Sequence, residues 1–196
     1  MSNLPNILTS VRILLVPILV VVLLTKFDGK EFVGLGLFLL AALTDFLDGY
    51  FARRWNLVSR FGQLLDPAAD KILVAAAFVS LVELDSRVTP SWMVVAILAR
   101  EFAVNALRSH AAAEQIVIPA GISGKIKTGA QIVAISLLII YNQLGEFSHL
   151  APISLWVAVI VTLYSGFEYF ARYWRRIGGL ASGPRPPEPP QPPVTA

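Results

Sequence analysis

At 196 residues, 56% of them hydrophobic and only 15% charged, the chain is long enough for one ordinary domain and too apolar to fold in water. It has no cysteine, which excludes a disulfide framework and thiolate chemistry. The formal charge of +3 matters less than its placement, and no nucleic-acid partner is expected.

The opening MSNLPNILTSVR is polar and amphipathic. Pro5 suits the first turn of a short helix with Asn3 or Ser2 as its cap, and such a helix lies along a membrane interface. The segment does not read as a cleavable signal. Only Arg12 precedes the apolar run, no small-residue cleavage site follows it, and the chain passes directly to Lys26-Phe27-Asp28. The first apolar helix is therefore expected to stay in the mature protein. Apolar stretches approaching the roughly 20 residues that span hydrocarbon occur at 13–25, 33–51, 72–82, 92–107, 129–144 and 152–170. The expected fold is an all-α integral membrane protein of six transmembrane helices with a short N-terminal interfacial helix.

The charges favour an even number of spans. Arg53, Arg54 and Arg60 lie between the second and third, Arg108, Lys125 and Lys127 between the fourth and fifth, and Arg172, Arg175, Arg176 and Arg185 after the sixth. The alternate gaps hold Lys26, Lys30 and Arg87, diluted by Asp28, Glu31, Glu83, Asp85 and Glu146. The positive-inside rule then puts both termini on the cytoplasmic side of the cell's plasma (inner) membrane. Residues 1–177 read as one membrane domain. From Gly178 the sequence GGLASGPRPPEPPQPPVTA is Gly- and then Pro-rich, and 178–196 are expected to form a disordered cytoplasmic tail.

Four acids stand in the least hospitable place. The stretch DFLDGYFARRWNLVSRFGQLLDPAAD contains Asp45, Asp48, Asp66 and Asp70 between two apolar runs. On a helix Asp45 and Asp48 are i,i+3 and Asp66 and Asp70 are i,i+4, so each pair shares a face. Gly49, Ala52, Gly62 and Ala69 leave room on those faces for a close backbone or a ligand. Folding back through the basic hinge RRWNLVSRF brings the two acidic faces together. Protonation or a divalent cation can relieve the repulsion. With no Cys, and with His110 and His149 far away in sequence, oxygen ligands point to Mg²⁺, Mn²⁺ or Ca²⁺ rather than zinc. Paired metals bridged by carboxylates are suited to a phosphate or pyrophosphate.

The pattern Asp45-x-x-Asp48-Gly49-x-x-Ala52-Arg53, eight residues, then Gly62-x-x-x-Asp66-x-x-x-Asp70 resembles the signature of the CDP-alcohol phosphotransferase family. All eight fixed residues across the 26 positions are present. The resemblance implies a six-helix membrane enzyme, usually a homodimer, with its site open to the cytoplasm. Such enzymes move a phosphatidyl group from a CDP-linked lipid to an alcohol and release CMP. It also implies that Asp45, Asp48, Asp66 and Asp70 bind metal, two ions of Mg²⁺ or Mn²⁺, and that Asp70 is also the general base. Gly49 and Arg53 match positions that contact the CDP part of the donor.

Two further stretches resemble the branch of that family that accepts glycerophosphate. In Asn3-Leu4-Pro5-Asn6-Ile7-Leu8-Thr9-Ser10-Val11-Arg12, the resemblance puts Asn6 and Thr9 near the nucleotide, and Ser59 in the hinge is a further candidate contact to the donor phosphates. The second is Ala99-Arg100-Glu101, Ala106-Leu107-Arg108 and Gly124-Lys125-Ile126-Lys127-Thr128, with Gln131 beyond; Tyr164-Ser165-Gly166 matches more weakly. A phosphate monoester carries nearly two negative charges, and Arg100, Arg108, Lys125 and Lys127 suit it. A buried Arg100–Glu101 ion pair and a lipid-facing basic loop are the plainer alternatives. The implied substrates are CDP-diacylglycerol and sn-glycerol 3-phosphate, in a setting of membrane lipid. The same chemistry with inositol phosphate, phosphatidylglycerol or serine is the nearest rival. A divalent-cation transporter, using the aspartates as an ion path, is a rival of a different class.

Overall fold

The computed structural model describes the backbone of residues 4–55, 60–114 and 121–181, and the side chains of 11–44, 71–114 and 121–177. Six α-helices and two short 3-10 turns make up its regular structure, and no strand occurs among the described residues. The helices are α1 (Leu4–Leu24), α2 (Lys30–Trp55), α3 (Arg60–Leu84), α4 (Ser91–Ala113), α5 (Ile122–Ile139) and α6 (Leu150–Ala181). Turn chemistry separates them where the apolar runs break. Asp85 Oδ1 accepts the backbone N–H groups of Arg87 and Val88 at 2.9 and 3.3 Å, which closes the turn after α3. Pro90, extended at φ −60° and ψ 129°, then leads into α4.

Packing divides the helices into two groups. α1 lies against α2 and α3, while α6 lies against α4 and α5; α2 and α3 touch α5, and α3 touches α4 to join them. Leu19, Phe38, Ala41, Ala77, Phe78, Ile97, Ile135 and Leu155 form the shared core. Gly34 sets how closely α1 and α2 approach, since a Cβ there stands 2.7 Å from Leu23 Cδ2.

The outer surface is unsuited to water. Leu14, Val21, Phe32, Val95, Ile160, Phe167 and Trp174 are each more than 60% exposed, on several helices and all around the bundle. By length and composition two segments among the described residues can cross a bilayer, Ile122–Ile139 and Gly145–Ile177, and Val11–Leu24 is a shorter apolar stretch.

Three boundaries differ from expectation. The N-terminal segment is not a separate interfacial helix: α1 runs unbroken from Leu4 to Leu24. Between Pro5 and Val16 no Gly or Pro interrupts the turn-to-turn hydrogen bonds. The Gly124–Thr128 stretch is not a loop, because α5 begins at Ile122, so Lys125 and Lys127 sit in its first turns. At the other end α6 continues past Gly178 to Ala181, so the expected tail boundary falls inside a helix. The rest of that tail, 182–196, lies outside the described residues.

Candidate active site

The four aspartates fall on two consecutive helices. Asp45 and Asp48 lie in the C-terminal half of α2, and Asp66 and Asp70 in the N-terminal half of α3. The helical backbone keeps the i,i+3 and i,i+4 spacings that put each pair on one face. Gly49 and Arg53 follow on α2, and Asn6 and Thr9 occupy the first turns of α1. Their side chains, and those of the aspartates, lie outside the described residues, as does Ser59 altogether.

Next to this acidic segment opens a cavity of about 500 Å³, within the usual range of small-ligand pockets. Among the described residues its wall includes Lys71, the residue after Asp70, and collects Arg100, Arg108, Lys125 and Lys127 from α4 and α5. All four basic residues singled out in the sequence therefore meet at one place. Arg172 on α6 adds a further cation, paired with Glu168 of the same helix. Arg108 and Lys125 are exposed, and no carboxylate partner is found for either among the described residues. The Arg108 guanidinium lies 5.7 Å from the centroid of the buried Tyr169 ring, a cation–π arrangement that limits where it can point.

A second group of cations is held differently. Glu101 Oε1 accepts hydrogen bonds from Lys127 Nζ at 2.6 Å, Arg100 Nη1 at 3.2 Å and Gln131 Nε2 at 3.3 Å. Gln131 Nε2 also donates to Thr162 Oγ1 at 3.1 Å, and Arg100 Nη2 donates to Ser165 Oγ at 2.8 Å. Through Arg100 and Gln131 this carboxylate joins α4, α5 and α6 in the cavity wall. The buried Arg100–Glu101 ion pair is present, and Lys127 shares it.

Gly166 gives Arg100 its path. A Cβ at that position meets Arg100 Cγ at 2.8 Å and Nε at 3.1 Å. Gly166→Ala is expected to displace the Arg100 stem and weaken its bonds to Glu101 and Ser165. Kinetics on the purified variant should show a several-fold rise in the KM of a phosphate-bearing acceptor; an unchanged value would mean that Arg100 can move freely.

The acidic helices fit divalent cations by the chemistry of their donor set. They offer four carboxylates, hard oxygen donors with no thiolate, on helical faces lined by Gly49, Ala52, Gly62 and Ala69. Among the described residues no three His, Cys, Asp or Glu side chains come together.

Several cavity or interior residues had no assigned role in the sequence reading. Arg12, read there as the one charge before the first apolar run and the end of the Asn3–Arg12 stretch, without a role at the site, is completely buried in α1. Leu23 and Gly34 are in contact near the turn joining α1 to α2, and Arg12 and Asp45 are equally far from that contact along the two antiparallel helices. The two positions are therefore at the same level. A cation one turn from an apolar run was the available signal, because a buried guanidinium requires a role. Lys71, Glu168, Tyr169 and Arg172 gave no comparable sign, since their meeting depends on how α3 and α6 pack.

Residues 2–164 match the model of the CDP-alcohol phosphatidyltransferase family, and the chain belongs to that family. Among its relatives is the CDP-diacylglycerol–glycerol-3-phosphate 3-phosphatidyltransferase of Bacillus subtilis (strain 168), 45% identical over 192 residues, covering 90% of this chain and 98% of the relative. Proteins of the same name from Rickettsia typhi (strain ATCC VR-144 / Wilmington) and Haemophilus influenzae (strain ATCC 51907 / DSM 11121 / KW20 / Rd) are 38% and 37% identical. They match 87% and 85% of this chain, and 96% and 91% of their own lengths.

Proposed function

We propose that the chain is a membrane enzyme that transfers the phosphatidyl group of CDP-diacylglycerol to sn-glycerol 3-phosphate, forming phosphatidylglycerophosphate and CMP. The reading rests above all on one juxtaposition: a cavity lined by Arg100, Arg108, Lys125 and Lys127 that is also lined by Lys71, the neighbour of Asp70 in α3. A donor site and an anionic-acceptor site side by side are what such a transfer needs. The names and near-complete coverage of the relatives support the same reading.

In this reading the six helices span the plasma membrane, both termini and the active site face the cytoplasm, and two copies of the chain form a homodimer. The exposed apolar surface suits the lipid tails of the donor, and the acceptor enters from water. Asp45, Asp48, Asp66 and Asp70 hold the divalent cations, Mg²⁺ or Mn²⁺, which when bound offset the charge of the diphosphate and of the departing phosphate. Arg12, buried at the level of Asp45, adds a fixed positive charge on the α1 side. Asn6, Thr9, Gly49, Arg53 and Ser59 contact the nucleotide and phosphates of the donor. Arg100, Arg108, Lys125 and Lys127 hold the acceptor phosphate and orient its primary hydroxyl toward Asp70. Asp70 takes the hydroxyl proton as the oxygen attacks the β-phosphorus, which bears the diacylglycerol, and CMP leaves.

Lys125→Gln is expected to raise the KM for sn-glycerol 3-phosphate about tenfold while sparing that for CDP-diacylglycerol, as loss of one contact to the acceptor requires. Equal changes in both constants would remove Lys125 from the acceptor site. The function itself is tested with labelled CDP-diacylglycerol and a panel of acceptors. Lipid product is expected with sn-glycerol 3-phosphate. Product with inositol phosphate, phosphatidylglycerol or serine alone would overturn the choice of alcohol and keep the chemistry.

A further inference from the structure

The cations around the cavity fall into two kinds. Arg108 and Lys125 are exposed and lack a carboxylate partner among the described residues. Arg100 and Lys127, at 10% and 11% side-chain exposure, are drawn back against a Glu101 side chain that is 9% exposed. A carboxylate inside a phosphate-binding cavity is at first sight a fault, since it repels the ligand. Its hydrogen bonds give it another meaning. Adjacent residues on a helix point in different directions, so Arg100 and Glu101 are not natural neighbours through α4 alone. Lys127 and Gln131 from α5 hold Glu101 from one side, Arg100 closes on it from the other, and Ser165 fixes the far end of the guanidinium. Long cationic side chains lose much rotamer freedom when a ligand orders them, and here that loss is met before the ligand arrives.

We propose that Glu101 is a positioning residue for the acceptor: its carboxylate fixes Arg100 and Lys127 in the cavity wall, ready to receive a phosphate monoester. This deepens the function proposed above and rests on that reading. It also makes a prediction opposite in sign to that of simple charge. Removing a carboxylate from a basic pocket raises its positive charge and, on charge alone, tightens phosphate binding. Removing a positioning carboxylate releases two flexible cations and weakens it.

Glu101→Gln keeps the shape and removes the charge. In the full-length purified protein the KM for sn-glycerol 3-phosphate is expected to rise at least about tenfold, with the KM for CDP-diacylglycerol within about twofold of wild type. Because Glu101 acts through Lys127 as well as Arg100, adding Glu101→Gln to Lys127→Met should raise the acceptor KM less than Glu101→Gln does alone. Should Glu101→Gln fail to fold, Gln131→Met supplies the test. Gln131 is 2% exposed and does not line this cavity, and its bond to Glu101 links it to the cations there, its other partner being Thr162 on α6. A rise of about threefold in the acceptor KM alone is expected for it.

An acceptor KM that is unchanged or lower, in whichever of the two variants folds, would overturn the proposal. So would an equal rise for both substrates, which marks a general packing role. Calorimetric binding of inorganic phosphate makes the same comparison without turnover, with weaker binding expected in the variant. Failure of the proposed function, seen as no acceptor-dependent CMP release by wild type, is thereby distinguished from failure of this inference, seen as unchanged or tighter phosphate binding.

Discussion

Asp70→Asn is expected to lower kcat for CMP release by about 10³-fold, within the 10²–10⁴ that a positioned general base contributes, while donor binding stays within a few-fold of wild type. The substitution keeps the size of the side chain and one oxygen, and removes the ability to take a proton. Of the four aspartates Asp70 stands next in sequence to Lys71, which lines the basic cavity, so the base role proposed for it is consistent with an acceptor held there. Loss of one of several cation ligands also follows from the change. Raising Mg²⁺ or Mn²⁺ concentration should therefore restore little of the rate, because proton transfer remains defective. A variant with kcat within tenfold of wild type would remove Asp70 from the base role.

Removing divalent cations should have the larger effect still. Stripping the purified protein with a chelator is expected to bring CMP release below detection, and adding Mg²⁺ or Mn²⁺ should restore it. Four carboxylates carried by two consecutive helices repel one another if they meet at one site without a counter-charge, and a diphosphate brought beside them adds to that repulsion. Arg12 alone cannot balance this sum. Asp66→Asn should raise the cation concentration giving half-maximal rate by at least about tenfold, since a hard divalent ion loses a charged ligand. Turnover that survives complete chelation would mean that the aspartates serve some other purpose.

Much of this arrangement was legible from local pattern. The apolar runs alone allowed five or six helices, since some are short or carry charges, and the placement of the basic residues favoured the even number. The spacing of Asp45 with Asp48, and of Asp66 with Asp70, fixed a shared face as soon as the segments were helical. The basic residues at 100, 108, 125 and 127 were also visible, and the structure gathers them around one cavity.

What was not legible depends on contacts between helices. The placement of Glu101 among Arg100, Lys127 and Gln131 comes from the meeting of α4 with α5, and no periodicity within either helix reports it. The complete burial of Arg12 depends on α2 and α3 enclosing α1. Lys125 and Lys127 looked like loop residues with Gly124 and Gly129 beside them, yet α5, packed against α6, runs through both glycines. Likewise Gly178 and Gly179 suggested an end to α6, and the helix continues to Ala181. Tertiary contact outweighs the modest helix penalty of a single glycine.

The central claim is that the acidic helices and the basic cavity form one transferase site. Its most direct test is CMP release by the purified chain in detergent with CDP-diacylglycerol and Mg²⁺ or Mn²⁺, with and without sn-glycerol 3-phosphate. Release that requires both the cation and the acceptor is the expected result. No release with any acceptor from folded protein, accompanied by metal flux into proteoliposomes, would contradict it and make the aspartates an ion path.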